Sequence, residues 1–127
     1  MRMKRAARKA SKRPWRGTPE GAVKASIQEY LTLRGIYWKR NQVGVLSNGA
    51  GRRVSFGNKG EADITAYVPH AAVKGAFYIL HIECKAPDGG RQSPWQKAEQ
   101  QAVEALGHKY VIARSIDDVE AALKGLR

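Results

Sequence analysis

The stretch Phe77-Tyr78-Ile79-Leu80-His81-Ile82-Glu83-Cys84-Lys85 decides the fold, because a run of apolar residues typical of a strand ends there in charged residues. Side chains alternate between the two faces of a strand. The odd-numbered residues, which include Glu83 and Lys85, therefore share one face, and the even-numbered residues share the other. This pattern predicts a carboxylate and an ammonium group side by side at the end of a buried strand.

A second strand is predicted over residues 62–68, and Asp63 opens it after the turn-forming residues 57–60. If the two strands pair as a hairpin, the Asp63 carboxylate reaches the end of the sheet where Glu83 emerges. Carboxylate oxygens are preferred ligands of Mg2+ and Mn2+, and a nearby lysine can orient a water molecule and offset charge on a phosphate. The alternative interpretation is that Glu83 and Lys85 are only the charged end of a buried strand.

The first helix is predicted to begin after Thr18, with Thr18 as N-cap and Pro19 at the first helical position, and to end at Gly35. Glu20 stands three and seven residues before two apolar positions, so it is expected on the face that packs against the sheet. A first-turn glutamate that interacts with the helix dipole is the alternative. The apolar positions of this helix are Val23, Ile27, Tyr30 and Leu31, and Tyr37 and Trp38 are also expected in the core.

The remaining elements complete an α/β pattern. A second helix is predicted from Ser93-Pro94 to Gly107, a short strand over residues 109–113, and a last helix from Ser115 to about Lys124. The predicted order is helix, three strands, helix, strand, helix. Parallel pairing of the two strands that flank the second helix would give an α/β sandwich.

Four short motifs in this order resemble a stand-alone VRR-NUC domain of the PD-(D/E)XK nuclease superfamily. They are Glu20, the segment 60–64 (Gly-Glu-Ala-Asp-Ile), the segment 82–85 (Ile-Glu-Cys-Lys) and the segment 93–96 (Ser-Pro-Trp-Gln). The resemblance covers about residues 19–115 and departs from the superfamily pattern at Ala62, where a proline would precede the aspartate. It implies a restriction-endonuclease-like α/β sandwich, with a mixed central sheet of about four strands flanked by helices.

The resemblance also implies roles for individual residues. Asp63, Glu83 and the backbone carbonyl of Cys84 would bind Mg2+ or Mn2+, and Glu20 would bind the metal directly or through water. Lys85 would position the attacking water, and Gln96 would orient Lys85 or the phosphate. Because Ser93 and Gln96 also form a capping-box pattern, a purely structural role for Gln96 is the alternative.

Basic residues outnumber acidic ones by 23 to 11, giving a formal net charge of +12, which suits a polyanionic partner. Residues 1–16 contain eight basic residues and no acidic one, and are expected to form a disordered DNA-binding arm ahead of a domain at 17–127. A transit peptide is the alternative for this arm. The residues expected to contact nucleic acid are Arg5, Arg8, Lys12, Arg13 and Arg16 in the arm, and Lys39, Arg40, Arg52, Arg53, Lys59 and Arg91 in the domain. Several of the domain residues lie on a glycine-rich hairpin, whose alternative interpretation is a solvated loop.

The function predicted from the sequence is a metal-dependent, structure-selective DNA endonuclease. The resemblance favours a homodimer that cuts Holliday junctions, since one small domain carries one site and paired cuts need two copies. The alternatives are a nuclease for flaps, nicks or duplex DNA, and a nucleic-acid-binding module without activity. No apolar run is long enough for a membrane span, and the single cysteine, Cys84, excludes an internal disulfide. An intracellular location is expected, in the cytoplasm or associated with the nucleoid.

Overall fold

The computed structural model describes residues 17–41, 44–47, 53–56 and 59–126, so the predicted arm at 1–16 lies outside the described residues. The helices are α1 (Pro19–Leu33), α2 (Pro94–Ala105) and α3 (Ile116–Lys124). The strands are β1 (Tyr37–Arg40), β2 (Gly44–Ser47), β3 (Arg53–Phe56), β4 (Ile64–Pro69), β5 (Phe77–Cys84) and β6 (Lys109–Ala113). In these ranges, no helix has both the length and the apolar character needed to cross a bilayer.

Four strands form one mixed sheet in the order β1-β4-β5-β6. The β1–β4 and β4–β5 pairs are antiparallel, and β5 and β6, which flank α2 in the chain, pair in parallel. The predicted mixed α/β fold with a central sheet of about four strands is therefore confirmed. The predicted count of three strands between the first two helices is wrong, because the described residues of this segment already form five.

The two additional strands arise because β2 and β3 form a separate antiparallel hairpin. Gly44 pairs with Phe56 and Ser47 with Arg53, which confirms a hairpin ahead of Asp63. The turn at residues 48–52 lies outside the described part of the chain. Each of these strands has only four residues and glycines nearby, so the sequence pattern is too short to identify each strand separately.

Helix α1 begins and ends where its flanking residues predict. The Thr18 side chain accepts a hydrogen bond from the Gly21 amide at 2.9 Å, and Pro19 occupies the first turn. At the other end, Gly35 has a φ of +69°, a left-handed conformation that glycine adopts at little cost. These two signals fix the register of the helix, so that Val23, Ile27 and Leu31 are its buried residues.

The core lies between α1, α3 and one face of the sheet. The sheet contributes alternate residues of its central strands, including Ile64, Ala66, Leu80, Ile82 and Cys84, and α3 contributes Val119. Ile27 and Leu31 are fully buried against them. Burying each such side chain stabilises the fold by about 1.5–3 kcal/mol, so this face holds the helices in place.

The second face of the sheet carries the polar residues. Glu83 alternates with the core residues Ile82 and Cys84, and its carboxylate contacts Gln96 of α2, so α2 lies on this second face. Tyr37 of the edge strand β1 lies beside Tyr67, with the two rings tilted by 52°, and is 67% exposed, so the expectation that it belongs to the core is wrong. Trp38 alternates with it and is half-buried, with its indole N–H donating to Thr32.

Gly60 brings the segment before β4 against the start of α2. Its φ is +86°, and a Cβ built on it would lie 2.3 Å from the backbone carbonyl oxygen of Trp95. A real Cβ does not approach an oxygen so closely, so any side chain at residue 60 would push the two segments apart. The contact fixes the distance between the Asp63 segment and the α2 N-terminus.

Replacing Gly60 should therefore destabilise the protein more than the backbone conformation alone explains. Gly107 is a matched control, because its φ is also +86° but a Cβ on it meets no described atom within 4 Å. Gly107→Ala should lower the free energy of unfolding by about 1–2 kcal/mol. Gly60→Ala should cost a further 1–3 kcal/mol or so from the clash. Urea unfolding of both variants measures the difference, and equal losses would contradict the close contact.

Candidate active site

Asp63 is held at the end of the sheet by a backbone amide. Residue Ile64 pairs with Ile82, so Asp63, just before β4, faces the last residues of β5. Its Oδ2 accepts a hydrogen bond from the Cys84 N–H at 2.8 Å, and its own carbonyl accepts one from the Asn41 N–H, also at 2.8 Å. The strand begins at Ile64, whereas the sequence predicted it over residues 62–68, because the Cys84 N–H donates to the Asp63 side chain instead of to a backbone carbonyl.

Glu83 is a buried carboxylate, only 3% exposed. Burial, followed by the negative charge of Asp63, raises its pKa to about 7 from the ordinary 4.5, although Lys85 acts in the opposite direction. A carboxylate taken out of water favours its protonated form unless cations compensate. Glu83 and Asp63 are thus close enough to repel each other, and a divalent cation between them would relieve that repulsion.

Lys85 is also buried, with 8% exposure, and its ammonium points to the same side as Glu83. The Nζ lies 3.1 Å from Oε1 of Gln96 and 3.5 Å from Oε2 of Glu83. Its backbone N–H donates to the Ala113 carbonyl at 3.0 Å, which extends the parallel β5–β6 pairing by one residue. The predicted juxtaposition of Glu83 and Lys85 on one face is confirmed.

Gln96 makes both sets of contacts that the sequence left as alternatives. Its Oε1 accepts from the Ser93 N–H at 2.8 Å, and the Ser93 hydroxyl accepts from the Gln96 N–H, so the capping box is complete. The same Oε1 accepts from Lys85, while Nε2 donates to Oε2 of Glu83 at 2.6 Å. The cap therefore fixes the side chain that holds Lys85 and Glu83 together.

The loop after Lys85 is fixed by Arg114, which the sequence did not single out. Its guanidinium donates to the carbonyls of Ala86, Gly89 and Gly90. A Cβ on Gly90, whose φ is +85°, would lie 3.4 Å from the Lys85 side chain, so the loop packs against its aliphatic part. An arginine directly after a strand carries no local signal for such a role, because the loop is far from it in sequence.

Lys24 is the other residue that the sequence analysis missed. Its Nζ lies 3.0 Å from Oδ1 of Asp63, with 23% of the lysine side chain and 19% of the aspartate side chain exposed. The available signal was its spacing from Glu20, since residues four apart share a helix face. Glu20 itself is half-buried, and its charge contributes to the raised pKa of the Cys84 thiol. No hydrogen bond or ion pair joins Glu20 to Asp63 or Glu83 among the described contacts.

Two carboxylates and a neighbouring backbone suit a hard divalent cation. In the described ranges, no three His, Cys, Asp or Glu side chains lie together in a metal-binding group. Mg2+ commonly binds through one or two carboxylates and completes its coordination with water and substrate phosphate, so Asp63 and Glu83 fit this mode. The role predicted for the Cys84 carbonyl stays a prediction. The Cys84 side chain is fully buried, and burial raises the pKa of its thiol to about 12, so it is a core residue.

The basic residues predicted to contact nucleic acid are placed unevenly. Lys39, Arg40, Lys59 and Arg91 are exposed. The Lys59 ammonium lies 4.3 Å from the ring centre of Trp95, itself 56% exposed and adjacent to Gln96, so this cation borders the site. Arg53 begins β3, and its side chain is outside the described part of the chain, as are Arg52 and the arm residues Arg5, Arg8, Lys12, Arg13 and Arg16.

His81 stays apart from the carboxylates, although it shares their face of the sheet. Its Nε2 lies 2.9 Å from Nδ1 of His108, and the two rings stack. Burial, followed by the nearby His108, lowers the pKa of His81. His81 is therefore a strand histidine that packs against His108.

No family model, curated protein or solved structure matches the chain. The residues of this chain are therefore the only basis for the chemistry proposed for the site.

The raised pKa of Glu83 predicts a pH dependence of stability in EDTA. Between pH 4.5 and about 7 the folded protein keeps a proton on Glu83 that the unfolded chain has lost, so the contribution of Glu83 to stability is greatest below pH 4.5 and falls as pH rises toward 7. Each unit of the pKa shift corresponds to about 1.4 kcal/mol, so the free energy of unfolding should fall by roughly 3 kcal/mol over this interval. Glu83→Gln, which carries no such proton, should lack this fall.

Urea unfolding at a series of pH values tests the prediction. The difference in unfolding free energy between Glu83→Gln and the wild type should move in favour of the variant as pH rises through this interval. Glu120→Gln, which removes a carboxylate that is 42% exposed, controls for the loss of one surface charge. If the free energy of unfolding changes with pH in the same way for Glu83→Gln and the wild type, the raised pKa of Glu83 is contradicted.

Proposed function

We propose that the protein is a metal-dependent deoxyribonuclease of the PD-(D/E)XK type, with a VRR-NUC-like site. The observation that carries the proposal is the group of Asp63, Glu83, Lys85 and Gln96 at one end of β4 and β5, in which Glu83 and Lys85 are buried and the other two are half-buried. Lys85 contacts both Gln96 and Glu83, and the residue between Glu83 and Lys85 holds Asp63 by its amide. Carboxylates beside a buried, oriented ammonium favour phosphodiester hydrolysis over a purely structural charge pair.

Each residue has a part in the proposed reaction. Asp63 and Glu83 would hold Mg2+ or Mn2+, with Glu20 acting through water from α1. When bound, the ion stabilises negative charge on the scissile phosphate and favours ionisation of water. Lys85 would orient the water that attacks the phosphorus and offset the negative charge that develops on the phosphate as one sugar oxygen leaves, and Gln96 would keep the Lys85 ammonium in place.

The substrate is proposed to be DNA, and branched DNA in particular. The net charge of +12 supports a nucleic-acid partner, and exposed cations such as Lys59 adjoin the site. A homodimer that resolves Holliday junctions is the preferred form, since each chain would supply one site and symmetric cleavage needs two. A monomer would point instead to flaps or nicks.

A nucleic-acid-binding module without activity is the second candidate. The charge of residues 1–16 supports binding equally well with or without cleavage. The buried pair of Glu83 and Lys85 favours the enzyme, because burying charges is costly and a module that only binds phosphate has no need of it.

Cleavage assays with Mg2+ or Mn2+ distinguish the two candidates. Asp63→Asn, Glu83→Gln and Lys85→Met should each reduce cleavage of labelled DNA by at least about a hundredfold. DNA binding by the two carboxylate variants should stay near the wild-type level, because they remove negative charge near phosphate. Lys85→Arg should be more active than Lys85→Met but less active than the wild type, since a planar guanidinium does not replace a compact ammonium.

Lys124→Met is the matched control, because Lys124 pairs with Glu120 on the exposed surface of α3. It should cleave at the wild-type rate. Junction, flap, nicked and linear DNA of one sequence define the substrate, and sedimentation gives the oligomeric state. Full binding with no cleavage by the wild type would establish the binding module instead.

Ser93→Ala separates the two roles of Gln96. That variant removes the serine hydroxyl from the capping box but leaves the contacts of Gln96 with Lys85 and Glu83. It should cost about 1 kcal/mol of stability and little activity per folded molecule. Gln96→Ala should lose both stability and turnover. Equal turnover of the two variants, measured at a temperature where both are folded, would restrict Gln96 to the cap.

A further inference from the structure

Both carboxylate oxygens of Asp63 already have partners. The Cys84 amide donates to Oδ2 at 2.8 Å, and the Lys24 ammonium lies 3.0 Å from Oδ1. The first contact comes from the strand backbone and is fixed by the sheet. The second comes from a flexible side chain, so Oδ1 is the oxygen that can be released.

The Lys24–Asp63 pair is more protected from water than an ordinary surface pair. Its side chains are 23% and 19% exposed, compared with 69% and 42% for Lys124 and Glu120, whose charged atoms lie 3.2 Å apart. Solvent screens the Lys24 pair less, so its attraction is stronger. Helix α1 is anchored in the core by Val23 and Ile27, which keeps the base of Lys24 beside Asp63.

We infer that Lys24 is a resident counterion that competes with the divalent cation for Asp63 and so limits the metal affinity of the site. The inference rests on the proposed metal site. A cation bound directly to Oδ1 would take the place that the ammonium now holds, and the two positive charges would repel each other. Lys24 must therefore move into solvent as the metal enters, and breaking its ion pair weakens metal binding.

A plain structural role makes the opposite prediction. If Lys24 only anchors α1 to the sheet, removing its charge would leave Asp63 less well placed, and metal affinity would fall or stay the same. If Lys24 competes with the metal, removing its charge would increase the affinity. The sign of the change separates the two roles.

Isothermal titration of the full chain with Mn2+, without DNA, measures this change. Lys24→Met keeps the length of the side chain and removes the charge, so it should bind Mn2+ about tenfold more tightly than the wild type. Lys24→Arg keeps the charge and should stay within about twofold of the wild type, as should the surface control Lys124→Met. Thermal unfolding confirms that each variant is folded, and Lys24→Gln replaces Lys24→Met if that variant is unstable.

The Asp63→Asn change, made in both the wild type and Lys24→Met, assigns the titrated metal to the site. Binding that disappears with Asp63→Asn and tightens with Lys24→Met supports the inference. Equal or weaker binding by Lys24→Met overturns it and leaves the metal site standing. If neither the wild type nor Lys24→Met binds Mn2+, or if Asp63→Asn binds Mn2+ as tightly as the wild type, the metal site and the inference are both overturned.

Discussion

The burial of the Glu83 carboxylate is the constraint on which the rest of the site depends. At 3% exposure it cannot be solvated by water, and its pKa of about 7 reflects that cost. Compensating contacts have to come from the protein: Gln96 donates a hydrogen bond, and Lys85 places a positive charge 3.5 Å away. The position of α2 follows from this requirement, because Gln96 reaches Glu83 only when the helix begins next to the end of β5.

Three separate contacts hold the surroundings of the carboxylate in place. Gly60 lets the segment before Asp63 lie against the backbone of Trp95, where α2 begins. Arg114 binds three carbonyls of the loop that follows Lys85. The Cys84 amide fixes one oxygen of Asp63. Together these contacts fix the backbone that carries Asp63 and Lys85 and the start of α2. Such a fixed arrangement suits a reaction that needs oriented groups.

Much of the fold and of the site was predictable from local patterns. The alternation along residues 77–85 placed Glu83 and Lys85 on one face, and the cap at Thr18 set the start of α1. The strand count failed because β2 and β3 have only four residues each, too few for their pattern to separate them from a loop. Tyr37 was misplaced because an aromatic residue on an edge strand has the same local sequence signal as one in a central strand.

The sequence by itself determined the three helices, the strands β4, β5 and β6, the alternation of β5 and the capping motifs, because each depends on residues within a few positions of one another. Only the tertiary structure decided that Lys24 meets Asp63, that Arg114 binds the loop after Lys85, and that Gln96 serves the cap and the site together. The residues in each of these contacts are separated by 11 to 39 positions. Their distances are set by how the helices pack on the sheet, since the local pattern around each residue is the same whether or not its partner is near.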